Sequence, residues 1–324
     1  MLLEILLQVL LLVVGFILLV KGADFFVDGV SDIAAHFGIP QIVIGLTIVA
    51  FGTSAPEAAI SITAAIQGSG GVAIGNIIGS NIMNVWLILG ISAIVSPMLV
   101  QKNTIRYEIP FTILASTALL VMGILNDDLY IVCGIILWVM FLIFMAYLVF
   151  SAVKQMKENK AKGLEKQEEK EKINVPFNIV VSILGGAAVV LGANVSVDAA
   201  TEIARICEIS EDIIGLTIVA FGTSLPELVT SVTASRKGKN DIAIGNIVGS
   251  NIFNILFVIG TTSLITPVAF DNSFIADGAV AIAAIVTLWV FTVRKKQLSR
   301  AGGIAMLLLY VAYFAYLIAR ETIL

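Results

Sequence analysis

The sequence predicts an all-α, polytopic membrane protein of ten transmembrane helices, arranged as two inverted five-helix repeats with broken helices inside each repeat. Three observations predict it. The composition is too apolar for a water-soluble core, one block of sequence returns almost unchanged in the second half, and the basic residues fall in alternate loops.

Hydrophobic residues make up 59% of the 324 and charged residues only 13%, with a mean hydropathy of +1.03. Soluble domains carry roughly 25% charged residues. The net charge of −4 therefore matters less than where the charges sit. Cys133 and Cys207 belong to no CxxC spacing, which gives no disulfide framework and no zinc site. A single histidine, His36, excludes a histidine-rich metal site. Neither HExxH nor GxSxG occurs, and the glycine-rich GSGGVA at 68–73 joins two spans rather than following a strand. Enzymatic function, a bound cofactor and nucleic-acid binding are not expected.

A spanning helix needs about 20 mostly apolar residues. Segments near 3–20, 40–66, 71–96, 108–125, 129–151, 176–197, 211–235, 241–266, 276–293 and 302–320 qualify, some as interrupted stretches. The apolar N-terminus has no basic start and no clear cleavage site, and is expected to be a retained first helix. The resulting organisation is a first five-helix repeat at 1–152, a charged linker at 153–175 and a second repeat at 176–324.

Lysine and arginine concentrate on the cytoplasmic side of membrane proteins. With the N-terminus outside, every Lys and Arg except Arg205 and Arg320 falls in an inside loop or the linker. Asp127, Asp128, Asp271, Glu208, Glu211 and Asp212 fall outside. This places both termini outside and the linker in the cytoplasm.

The internal repeat decides the architecture. IGLTIVAFGTSAPE at 44–57 returns as IGLTIVAFGTSLPE at 214–227, an offset of 170 residues. Without a gap to Pro97 and Pro267, 29 of 54 positions are identical. Five spans per half is an odd number, so the second half enters from the opposite side. Duplication with inversion is a mark of alternating-access transporters, with the site at the midplane between halves.

Within GTSAPE, Pro56 cannot donate to the carbonyl of Gly52, so the helix should break and free carbonyls near Ala50, Phe51 and Gly52. Free carbonyls at membrane depth need a partner, and a dehydrated cation is one. Ser54 and Glu57 also match a helix-capping box. A cap does not need a mid-membrane acid, which costs several kcal/mol, so Glu57 and Glu227 read as cation ligands. Thr53, Glu57 and Ser61 are spaced four apart and share a helical face, as do Thr223, Glu227 and Ser231. The second repeated block is AIGNIIGSNIMN at 73–84 and AIGNIVGSNIFN at 243–254. Gly75, Gly79, Gly245 and Gly249 suit close helix packing. Ser80, Asn84, Ser250 and Asn254 read as part of the ion site. Asn76 and Asn246 either brace neighbouring helices or join it, and Asn81 and Asn251 read as structural. All these ligands are oxygens, which selects hard cations such as Ca²⁺ and Na⁺.

GTSxPE followed by GNxxGSN, duplicated in halves of five spans, resembles the Ca²⁺/cation antiporter superfamily, and most of all its prokaryotic sodium/calcium exchangers. The resemblance implies that Glu57 and Glu227 are shared Ca²⁺ and Na⁺ ligands. It adds Thr53, Thr223 and the carbonyls of Ala50 and Ala220, with Ser54, Ser80, Ser224 and Ser250 as flanking Na⁺ ligands and Asn84 and Asn254 as the remaining central positions. Related exchangers often carry Asp at the place of Asn254, and in the potassium-dependent branch that Asp is linked to K⁺ use. The implied activity is electrogenic, K⁺-independent exchange of Na⁺ for Ca²⁺ across the plasma membrane by a monomeric transport unit in the lipid bilayer. Ca²⁺/H⁺ exchange by the same glutamates, K⁺-dependent exchange and a passive cation channel are the alternatives.

Overall fold

The computed structural model describes residues 2–126, 128–161, 174–207 and 220–323. Helix α1 is Leu2–Phe37, α2 Gln41–Thr53, α3 Ala55–Ile66, α4 Gly70–Val95 and α5 Thr104–Asn126. Then follow α6, Ile131–Ala161, α7, Val175–Ile206, α8, Ala220–Thr223, and α9, Leu225–Arg236. The chain ends in α10, Asn240–Ile265, α11, Ser273–Val293, and α12, Arg300–Ile323. Among the described residues eight helices are long and apolar enough to cross a membrane, or nine with α2 and α3 counted as one bent span. The tenth expected span, 211–235, is described only from Ala220 onward, and its residues 211–219 lie outside the described set.

The centre belongs to α4 and α10: in their apolar 18-residue stretches 83% and 94% of the residues are buried, against 17% in α1 and α12. Their sequences explain this: α4 and α10 are built from Gly, Ser, Asn and Ile, while α1 is a leucine-rich rod. Against the lipid-facing side, α1 packs along α7 through glycines. A Cβ on Gly192 would sit 2.7 Å from both the Gly15 carbonyl oxygen and the Leu19 nitrogen, so only glycine permits this approach.

Several expected boundaries are corrected. The first helix does not stop at residue 20 but runs to Phe37, so Lys21 lies inside it rather than in a loop. The apolar run ends, yet Asp24, Asp28 and Asp32 follow at four-residue spacing and share one face. Lys237 and Lys239 from the α9–α10 turn meet that face, with Lys237 2.9 Å from Asp24 and both lysines 2.8 Å from Asp28. Helix α7 likewise runs past residue 197 to Ile206. Helix α6 carries Lys154 and Lys157 as far as Ala161, and linker residues 162–173 lie outside the described set.

Equivalent positions of the sequence repeat carry the same local structure. α3 and α9 each have 12 residues, and Gly68 and Gly238 close the equivalent turns at φ +82° and +72°. Both α4 and α10 widen into π-helix, at Met83–Leu89 and Phe253–Ile259. Among the described residues four short strands depart from the all-helical expectation: β1, Met98–Leu99, β2, Asp128–Leu129, β3, Val268–Ala269, and β4, Gln297–Leu298. β1 pairs antiparallel with β4, and β2 with β3. Each pair joins a loop of one half to a loop of the other.

Candidate ion-binding site

The break expected at GTSAPE is present. Ser54, at φ −84° and ψ 6°, separates α2 from α3, which are bent by 51°. This corrects one expectation: Thr53 ends α2 and does not share a continuous face with Glu57 and Ser61. A second correction concerns Ala50. The turn at Ser54 is tight enough for the Ser54 N–H to donate to the Ala50 carbonyl at 3.0 Å, and Ser250 Oγ donates to the same oxygen at 3.4 Å. That carbonyl is therefore shared, not free. Ala220 opens the equivalent short helix α8, and Thr223 ends it.

The capping role for Ser54 and Ser224 is not used, since neither side chain caps its helix. Each hydroxyl instead donates across to the other half. Ser54 Oγ donates to Glu227 Oε1 at 2.7 Å, and Ser224 Oγ donates to Glu57 Oε1 at 3.2 Å. Because Ser54 lies one turn before Glu57, this exchange draws the two carboxylates together, and both are fully buried. A serine that gives its proton to a carboxylate keeps its lone pairs for a cation.

The amides form a second layer. Asn76 Nδ2 donates to Ser61 Oγ at 2.9 Å, and Asn246 Nδ2 donates to Ser231 Oγ at 2.9 Å. Thr53 Oγ1 donates to Asn246 Oδ1 at 3.0 Å. These bonds brace α3 against α4 and α9 against α10, which is the structural alternative for Asn76 and Asn246. Ser80 is buried on α4, one turn before Asn84. Asn84 donates through Nδ2 to Asn251 Oδ1 at 3.1 Å, and Asn254 through Nδ2 to Asn81 Oδ1 at 3.2 Å. Asn81 and Asn251, which read as structural, hold these two asparagines. No sequence signal short of the helix crossing could reveal this.

Of the carboxylate and amide oxygens of Glu57, Glu227, Asn84 and Asn254, four are buried without a hydrogen-bond partner among the described residues, Glu57 Oε2, Glu227 Oε2, Asn84 Oδ1 and Asn254 Oδ1; buried oxygens elsewhere, such as Glu108 Oε2 and Ser116 Oγ, share that state singly. A buried carboxylate oxygen with no donor is costly, and a hard cation is the partner this donor set suits.

The chain matches the family described as sodium/calcium exchanger protein over residues 7–150 and 177–319. It belongs to the sodium/calcium exchanger family. This exchanger is 34% identical to the sodium/calcium exchanger MaX1 of Methanosarcina acetivorans, over 95% of this chain and 97% of that one. It is also 34% identical to the inner membrane protein YrbG of Escherichia coli, covering 95% of each. Among solved structures it superimposes on the sodium-calcium exchanger NCX_Mj, soaked with zero Na⁺ and Ca²⁺, with a TM-score of 0.84 at 35% identity, over 97% of this chain and 99% of that one. The exchanger is an integral membrane transporter, not an enzyme, and exchange of Na⁺ and Ca²⁺ is the activity of its family.

Proposed function

We propose that the chain exchanges Na⁺ for Ca²⁺ across the cell membrane by alternating access, electrogenically and without K⁺, through one central site shared by Glu57 and Glu227. The observation that carries this reading is that the two glutamates cross-linked by Ser54 and Ser224, and the equivalent asparagines Asn84 and Asn254, each keep one buried oxygen without a partner, two from each half. Two carboxylates balance one Ca²⁺, and the amide oxygens of Asn84 and Asn254 add neutral ligands. The hydroxyls of Thr53, Ser54 and Ser80, those of Thr223, Ser224 and Ser250, and the carbonyl of Ala220 fill out the coordination of six to eight oxygens that Ca²⁺ takes, and the Ala50 carbonyl joins them when Ser250 Oγ turns from it to a cation. The same hydroxyls provide flanking Na⁺ positions. Asn254, neutral where an acid would add charge, supports independence from K⁺.

Inversion of the halves is supported by reciprocity. Ser54 reaches Glu227 as Ser224 reaches Glu57. The β1–β4 pair joins the loops that carry Lys102 and Lys295, while the β2–β3 pair joins those that carry Asp128 and Asp271. Both pairings suit a topology with the basic loops and the linker in the cytoplasm and both termini outside. Equilibrium binding to the purified protein tests the shared site. Ca²⁺ is expected to bind and to be displaced competitively by Na⁺ but not by K⁺. Simultaneous, independent binding of Na⁺ and Ca²⁺ would overturn it.

A further inference from the structure

We infer that Asn81 and Asn251 are positioning residues that fix which end of the Asn84 and Asn254 amides faces the cation, an inference that rests on the ion site proposed above. A primary amide has an accepting oxygen and a donating nitrogen of nearly equal size. As a cation ligand it works only with the oxygen inward. Turned about, it points two N–H groups at a positive charge. Something must therefore choose between the two orientations.

The choice can be traced bond by bond to a backbone carbonyl. Asn251 Nδ2 donates to the Asn81 carbonyl at 3.2 Å. A carbonyl only accepts, so that end of Asn251 is its NH₂ group and Oδ1 faces the other way. Oδ1 lies 3.1 Å from Asn84 Nδ2. Since Oδ1 only accepts, Asn84 must present its own NH₂ there, and its Oδ1 is turned away from Asn251. That oxygen is one of the four buried and unpartnered ones.

The same relay runs in the other direction. Asn81 Nδ2 donates to the Asn251 carbonyl at 3.4 Å, and Asn254 Nδ2 donates to Asn81 Oδ1 at 3.2 Å. Asn254 Oδ1 is left unpartnered. All four asparagines are buried, so water does not compete for these bonds. The π segments begin at Met83 and Phe253, so both carbonyls sit where the backbone ladder changes its spacing. Each ligand is oriented by the opposite half, which ties its geometry to the crossing of α4 and α10.

The test uses a ligand that has no wrong way round. A carboxylate has two equivalent oxygens, so Asn84→Asp removes the need for an orienter. Measure Ca²⁺ binding to purified protein for Asn251→Ala, Asn84→Asp and the double variant. Loss of an outer partner of a metal ligand typically costs 10- to 100-fold in affinity. Asn251→Ala alone should weaken Ca²⁺ binding by about that factor. In the Asn84→Asp background the same change should weaken affinity by no more than about threefold, because a carboxylate has no orientation to lose and gains nothing from the accepting Asn251 Oδ1. A merely structural role predicts equal losses in both backgrounds, and that result overturns the inference, as does an unchanged affinity for Asn251→Ala alone. If Asn251→Ala does not yield folded protein, Asn81→Ala with and without Asn254→Asp decides by the same outcomes. Failure of the unsubstituted protein to bind Ca²⁺ in competition with Na⁺ would instead defeat the ion-site reading itself.

Discussion

The substitution Glu57→Gln isolates the charge of one carboxylate. In the structure Glu57 Oε1 accepts from Ser224 Oγ at 3.2 Å, while Oε2 has no partner among the described residues. Glutamine keeps the accepting oxygen and puts an NH₂ group where Oε2 stood. The fold should survive, since a buried charge is removed and the bond to Ser224 is kept. Ca²⁺, however, would meet one negative charge instead of two, and an N–H in place of a lone pair. Breaking a buried charge pair on one side costs about 3 to 5 kcal/mol, or roughly two to three and a half orders of magnitude in affinity. Glu227→Gln should do the same, because Ser54 holds its Oε1 in the equivalent way. The double variant should add little, as groups acting as one unit are not additive. The assay is Na⁺-dependent Ca²⁺ uptake into vesicles at low Ca²⁺, with membrane insertion checked in parallel. Near-normal uptake by either single variant refutes the shared site.

Three further outcomes follow from particular features of the fold. Pro56→Ala restores a donor for the Gly52 carbonyl, so the 51° bend should relax and Ca²⁺ affinity should fall while insertion is retained; unchanged affinity in both Pro56→Ala and Pro226→Ala would detach the break from the site. In a background lacking Cys133 and Cys207, cysteines at Lys102 and Lys295 should be labelled only from the cytoplasm and cysteines at Asp128 and Asp271 only from outside, and labelling of all four from one side contradicts the inverted topology. Gly192→Val places atoms against the Gly15 carbonyl and Leu19 nitrogen and should destabilise the α1–α7 seam by about 1 to 3 kcal/mol, read as a lowered Tm in detergent; an unchanged Tm shows that the seam can open without cost.

The sequence made the architecture legible where local chemistry forces the outcome. Pro56 and Pro226 lack the N–H that a continuous helix needs, and the breaks are there. Glu57 and Glu227 are too costly in mid-membrane to be incidental, and both are fully buried. What stayed hidden depends on contacts between distant segments. Ser54 and Glu57 look like a capping box from one strand of sequence, yet their partners are Glu227 and Ser224. Asn81 and Asn251 seem off the site by helical spacing, but the crossing of α4 and α10 sets them against Asn254 and Asn84. Hydropathy drops at Lys21 and predicts a helix end there, yet α1 runs on to Phe37. The lysines that compensate Asp24 and Asp28 lie more than 200 residues away, at Lys237 and Lys239.

The central claim is coupled, charge-moving exchange, and ion flux in proteoliposomes tests it most directly. Load vesicles carrying the purified protein with Na⁺, dilute them into Na⁺-free medium containing radiolabelled Ca²⁺, and set the membrane potential with an ionophore. The account predicts Ca²⁺ uptake that requires internal Na⁺, is unchanged when K⁺ is replaced by choline, and speeds up when the interior is made positive. The last point follows because more positive charge leaves with Na⁺ than enters with Ca²⁺. Uptake driven by a proton gradient without Na⁺, or uptake that ignores the membrane potential and the counter-ion alike, would contradict it.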